Sequence, residues 1–221
     1  MVKKHKKPIL ICVSGGTASG KTTAAKLILS NLPKSVKTVM ICMDNFYKDI
    51  SYLDNSIKLT NTKNSNIQRI NYDHPYAFDW QLITNTLKDL LKRKTVQIPN
   101  YDYVTGKRLK QTKTIKPADV IIFEGILAIH NPDINNLSAI KIFVESPDDE
   151  RFIRRFLRDK CELKRTDEEI INRWRKLVQP MYKQFCQQQR ADADLIIPWF
   201  NQNDVAIELL KSALTMRVLH R

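Results

Sequence analysis

Ile9-Leu10-Ile11-Cys12-Val13-Ser14-Gly15-Gly16-Thr17-Ala18-Ser19-Gly20-Lys21-Thr22-Thr23 is the stretch on which the reading of the fold turns. Its opening apolar run is short, rich in β-branched residues and bounded by Pro8 and Gly15, as in a strand buried on both faces. Gly15 to Thr22 then satisfies G-x-x-x-x-G-K-[ST], and a helix is predicted from Gly20 to about Leu32, where Pro33 stops it. Strand, glycine-rich turn and helix make a phosphate cradle, because free backbone N–H groups curl around the anion and the helix N-terminus adds favourable potential. Gly15, Gly16, Thr17, Ala18, Ser19, Gly20 and Thr23 belong to that nucleotide-binding stretch. Lys21 is placed to reach the β- and γ-phosphates, and Thr22 to give its hydroxyl to Mg²⁺. Average composition yields this pattern by chance on the order of once in a hundred chains of this length, which disfavours a mere turn.

Working outward, residues 36–43 read as a second strand that ends on Asp44, and residues 48–72 are polar, Asn/Lys-rich and loop-like. Asp79 caps a helix in which Leu82, Ile83, Leu87, Leu90 and Leu91 recur at helical spacing up to Arg93. Residues 96–104 and 109–115 flank Thr105-Gly106 as a hairpin beside the main sheet. Val120 to Phe123 is a buried strand ending on Glu124-Gly125, and Ile140 to Val144 repeats that pattern. Ser146-Pro147-Asp148-Asp149 predicts a helix start with Ser146 as cap and Pro147 at the first helical position. Thr166 to Glu169 form a capping box for a helix that Pro180 kinks or ends. A last strand at 195–197 and a last helix from Asp204 to about Leu219 complete an α/β fold with a doubly wound parallel sheet and no internal repeat.

The 221 residues suit one domain, and a hydrophobic fraction of 43% with 27% charged residues is that of a soluble chain. The basic start Lys3-Lys4-His5-Lys6-Lys7 is followed by an apolar run far short of the ~18 residues of a membrane span, so a cytoplasmic protein without a membrane partner is expected. Cys12, Cys42, Cys161 and Cys186 are scattered and show neither a C-x-x-C pair nor a metal spacing. The net charge of +14 favours anionic partners. Its lysines are spread over helix faces, so nucleotide phosphates rather than nucleic acid are the expected anions.

Two acids stand at strand ends, Asp44 in Met43-Asp44-Asn45-Phe46-Tyr47 and Glu124 in Phe123-Glu124-Gly125. Carboxyl ends of parallel strands line the ligand crevice, so one acid suits the magnesium shell and the other the proton of an attacking hydroxyl. Arg154, Arg155 and Arg158 lie on the helix after Ser146, and Arg165 follows just beyond it. Such forks suit phosphate oxygens and transition-state charge, although the same cluster also reads as a solvated helix face.

Five segments together resemble the uridine kinase (uridine–cytidine kinase) family, over about residues 8 to 210. They are Ser14 to Thr23, Asp44-Asn45-Phe46-Tyr47-Lys48-Asp49, Asn71-Tyr72-Asp73-His74-Pro75 with Ala77-Phe78-Asp79, Pro99-Asn100-Tyr101-Asp102-Tyr103, and Phe123-Glu124-Gly125-Ile126-Leu127. The resemblance implies one P-loop kinase domain over residues 1–221 with a basic tail at 1–7, a hairpin and a helical lid. It implies ATP or GTP as phosphate donor with Mg²⁺, a small nucleoside acceptor and a homotetramer. Asp44 becomes the general base for the 5′-hydroxyl, with Lys21 and Arg158 as the other catalytic groups and Thr22 and Glu124 on the metal side. Asp73 and Arg155 hold the ribose hydroxyls, while Tyr47, Tyr72, Tyr101 and Tyr103 surround the base, and Arg165 and Arg173 approach the acceptor.

The chain also departs from that family. Gly106 stands where a histidine usually reads the pyrimidine edge, Glu162-Leu163-Lys164-Arg165 replaces Glu-Arg-Gly-Arg, and Arg173 replaces a glutamine. Trp199-Phe200-Asn201-Gln202 replaces an Arg-Gly-Gly stretch beside the adenine. Two other readings stay open: a kinase of the same superfamily with a phosphoribulokinase-like or pantothenate-kinase-like acceptor, and a non-catalytic, nucleotide-dependent RNA-binding regulator.

Overall fold

The computed structural model describes residues 7–30, 32–53, 71–102 and 105–219. Five strands form one parallel sheet in the order β2-β5-β1-β6-β7: β1 Ile9–Ser14, β2 Thr38–Cys42, β5 Val120–Glu124, β6 Ile140–Glu145 and β7 Leu195–Pro198. Successive residues of the inner strands feed opposite cores, as the two-residue period of a strand dictates. Leu10, Cys12, Ile121 and Phe123 pack on one face with Ile83, Leu87 and Leu90 of α2 (Trp80–Leu91) and Ile134 of α3 (Pro132–Leu137). Ile9, Ile11, Val13, Val120 and Ile122 pack on the other with Ala24, Ala25 and Ile28 of α1 (Lys21–Ser30) and Ile207, Leu210 and Leu214 of α7 (Asp204–Leu219). The sheet is therefore covered on both sides, the doubly wound arrangement expected.

The hairpin is present as β3 Val96–Asp102 and β4 Lys107–Ile115, paired antiparallel. The second strand is shorter than its apolar pattern, because residues 43–46 coil into a 3₁₀ turn that lifts Asp44 off the strand end. At the start of α4 (Asp148–Glu162), Pro147 occupies the cap position, and Ser146 turns away to bond the Trp199 carbonyl instead of capping. The capping box at Thr166 and Glu169 is present and opens α5 (Asp167–Arg173). Pro180 does not end that helix. It lies in α6 (Gln179–Met181) between two π turns, Trp174–Val178 and Tyr182–Cys186, and the winding continues to Arg190. The wider π turns leave the proline ring and its missing N–H without a clash in the preceding turn. The loop expected at 48–72 lies outside the described residues between 54 and 70. Among the described residues no helix is long and apolar enough to cross a membrane.

Candidate active site

β1 is the hinge of the sheet, with β5 on one side and β6 on the other, so the crevice at its carboxyl end is where an open α/β sheet binds its ligand. The turn from Gly15 to Gly20 fills that crevice and delivers Lys21 and Thr22 at the first turn of α1. Gly20 has φ +92, a conformation that disfavours any side chain, and the Trp199 indole lies so close that a Cβ there would collide with it. Trp199, one of the family departures, is buried against the second core and forms a wall of the loop.

The two strand-end acids converge. Glu124, 3% exposed, accepts a bond from the Thr22 hydroxyl at 3.2 Å. Cys42 pairs in register with Glu124 across β2 and β5. Burial first, then the Asp44 and Glu124 carboxylates, push the Cys42 thiol up, so both acids face one spot between the strand ends. Asp44 accepts from the Tyr47 hydroxyl at 3.4 Å. Among the described residues no three His, Cys, Asp or Glu side chains gather as a metal cage. The Thr22–Glu124 pair fits Mg²⁺ nonetheless, because that ion keeps several waters and takes one or two protein oxygens plus substrate phosphates.

Across the crevice, Gly16 and Thr17 line one cavity with Asp73, Ile126, Tyr182 and Cys186. Burial raises the Cys186 thiol to about 12, with the Lys21 and Arg151 cations pulling the other way. Tyr47 stacks on Phe78 at 4.4 Å and meets Tyr72 edge-on at 4.9 Å, while Tyr101 lies 5.3 Å from Tyr47. The hydroxyls of Tyr72 and Tyr101 are 3.3 Å apart, and burial drives both phenols up. Three of the four predicted tyrosines thus form one cluster, and Tyr103 lies outside the described residues.

The arginines gather on a residue that the sequence did not single out. Asp159, 1% exposed, receives Arg165 at 2.8 Å, Arg158 at 2.9 Å and Arg155 at 3.4 Å. Burial alone would raise its carboxyl, but Arg155, Arg158 and Arg165 together hold it below the usual carboxylate range. Arg155 also donates to the Thr17 hydroxyl at 2.8 Å, which ties α4 to the phosphate loop. Burial, helped by Arg165 and Arg155, lowers Arg173 to about 10, with Asp73 and Asp159 opposing. Arg173 therefore belongs to the same charged cluster as Asp73, Asp159, Arg155 and Arg165.

Other supports also escaped the sequence reading. Arg108 of β4 donates to the Tyr47 carbonyl at 2.8 Å and to Asp79 at 3.1 Å, pinning the hairpin to the segment that carries Asp44. Gln189, 2% exposed, accepts from Ser14 at 2.8 Å and from the Ile129 N–H at 2.9 Å, and donates to the Ile126 carbonyl at 2.9 Å. It fastens the turn after Glu124 to the end of β1. One arginine in an exposed-looking strand and one glutamine among three carry no pattern that marks them.

The model of the Phosphoribulokinase / Uridine kinase family matches residues 10–206. A uridine kinase of Ureaplasma parvum serovar 3 is 43% identical over 205 residues, which are 93% of this chain and 95% of that one. A uridine kinase of Lactobacillus helveticus is 40% identical over 214 residues, 97% of each chain. Among solved structures, phosphoribulokinase from Rhodobacter spheroides superposes with a TM-score of 0.59 at 15% identity, over 88% of this chain and 71% of its own, a likeness of fold.

Proposed function

This kinase belongs to the phosphoribulokinase / uridine kinase family, and from that premise we propose that it moves the γ-phosphate of ATP to the 5′-hydroxyl of uridine and cytidine. The observation that carries the reading is the shared cavity, in which Gly16 and Thr17 of the phosphate loop face Asp73. Donor and acceptor sites then meet across one gap, as a direct in-line transfer requires. Asp73 accepts from the ribose diol and Arg155 donates to it, which matches a carboxylate and a guanidinium to two hydroxyls. Tyr47, Tyr72 and Tyr101 flank the base. Asp44 takes the proton of the attacking hydroxyl, and Lys21, Arg158 and Arg165 balance the charge of the group in flight. Thr22 and Glu124 would hold Mg²⁺, which when bound would neutralise phosphate charge. The role is pyrimidine salvage in the cytoplasm, by a homotetramer of one domain per chain.

Steady formation of ADP or GDP, followed for each of ATP and GTP against a panel of acceptors, tests the reading. Uridine and cytidine should support turnover, and Lys21→Ala should remove it by about 10³-fold while the protein stays folded. Turnover with ribulose 5-phosphate or pantothenate, or nucleotide hydrolysis driven by RNA alone, would contradict it.

A further inference from the structure

Arg151 lies on the first turns of α4 and is 0% exposed, the largest fully buried side chain among the described residues. One nitrogen, Nη2, pairs with Asp148, whose own side chain is 40% exposed. The guanidinium lies 3.7 Å above the Tyr182 ring and 5.4 Å from the Trp174 ring. Those two rings begin the two π turns, so the irregular winding of 174–186 is what presents them to the arginine. The other two donors, Nε and Nη1, are buried without a hydrogen-bond partner. Nη1 abuts Gly16 of the phosphate loop, where any Cβ would strike it.

A structural anchor would use its donors. Buried arginine nitrogens are almost always paired, and an unpaired charged donor is costly to bury. Of the two idle nitrogens, Nη1 faces the phosphate loop, packed behind Gly16, which with Tyr182 lines the cavity shared with Asp73. We propose that Arg151 is a further phosphoryl-binding residue of this site, whose Nη1 donates to an oxygen of the terminal phosphoryl group as it passes from donor to acceptor. The inference rests on the phosphotransferase reading of the crevice but not on the identity of the acceptor. The glycine at 16 follows from it, since a side chain there would separate the guanidinium from the anion. Lys21 supplies a mobile cation from α1, whereas Arg151 supplies a fixed guanidinium, held on two rings and one carboxylate.

The test compares ATP with ADP, because only ATP carries the group concerned. In Arg151→Met, which keeps the apolar stem, calorimetry should find ATP binding at least 10-fold weaker and ADP binding changed by less than about 3-fold. With uridine, kcat should fall by roughly 10²-fold or more. The melting temperature should hold or rise, since idle buried donors are removed and Asp148 can turn to solvent. A lower melting temperature with normal kcat, or equal losses of ATP and ADP binding, would overturn the proposal in favour of an anchor for the loop. Arg151→Lys, which keeps the charge and loses the fixed Nη1 donor, reads the same point if the methionine variant does not fold. Its ATP-to-ADP affinity ratio should drop at least 3-fold, and an unchanged ratio counts against the idea. Both binding measurements need no acceptor, so a wild type that ignores uridine would defeat the earlier reading without deciding this one.

Discussion

At the scale of single residues, Asp44 and Glu124 were visible in the sequence because each closes an apolar run, and position plus chemistry suggests a role, whereas Asp73 was marked only by the family resemblance. Asp44→Asn preserves size but cannot accept a proton, so kcat should fall by roughly 10²-fold with little change in KM. Asp73→Asn should instead raise KM for the nucleoside, and steady-state kinetics on both variants would reveal an exchange of roles. Gly106 has φ +68, a backbone conformation that a histidine resists, so the family's base-reading residue cannot simply be restored there. Gly106→His should destabilise the hairpin by about 1 kcal/mol, read by thermal melting, and leave the uridine-to-cytidine ratio of kcat/KM within about 10-fold of unity. Asp159 and Arg151 were not legible at this scale. A charged residue on an amphipathic helix reads as solvated, and only packing against a neighbouring element reveals that it is buried.

Between the phosphate loop and the lid, α4 and the winding after it work as one element, joined at Asp159. Its lowered carboxyl pKa sets the sign of a pH effect. A depressed pKa contributes stability that is complete above the unfolded value, about 3.9, and that fades as pH falls through the lower folded value. Acid below about pH 4 should therefore loosen the lid arginines, and melting temperature should drop with it. Asp159→Asn should cost about 3 kcal/mol at pH 7, the low end for a broken buried pair, since Arg158 is 42% exposed and can turn outward. The variant should then lose less than the wild type between pH 5 and pH 3, and an equally steep acid loss would remove Asp159 from this role. The capping box at Thr166 was readable, being a local exchange of two hydrogen bonds. The π turns were not: Pro180 signals a break without saying of which kind, and the rings that the π turns place around Arg151 are no local signal.

For the whole molecule, alternating apolar strands and amphipathic helices announced a doubly wound sheet, and the structure has one. The order β2-β5-β1-β6-β7 could not be read from periodicity, since a strand's pattern says how it is buried and not beside which neighbour. That order is what brings the ends of β2 and β5 together, and with them Asp44, Glu124 and the phosphate loop. Sequence motifs named the chemistry, and the sheet order supplies the distance over which it acts. The proposed reaction is a phosphoryl group crossing that distance to a nucleoside. The most direct measurement incubates the protein with Mg²⁺, uridine and ATP labelled at the γ-phosphorus and separates the products. The label should appear in uridine 5′-monophosphate, one ADP for each, and should be absent from that product with Asp44→Asn over the same interval; label found only in inorganic phosphate, at a rate that uridine does not change, would contradict the account.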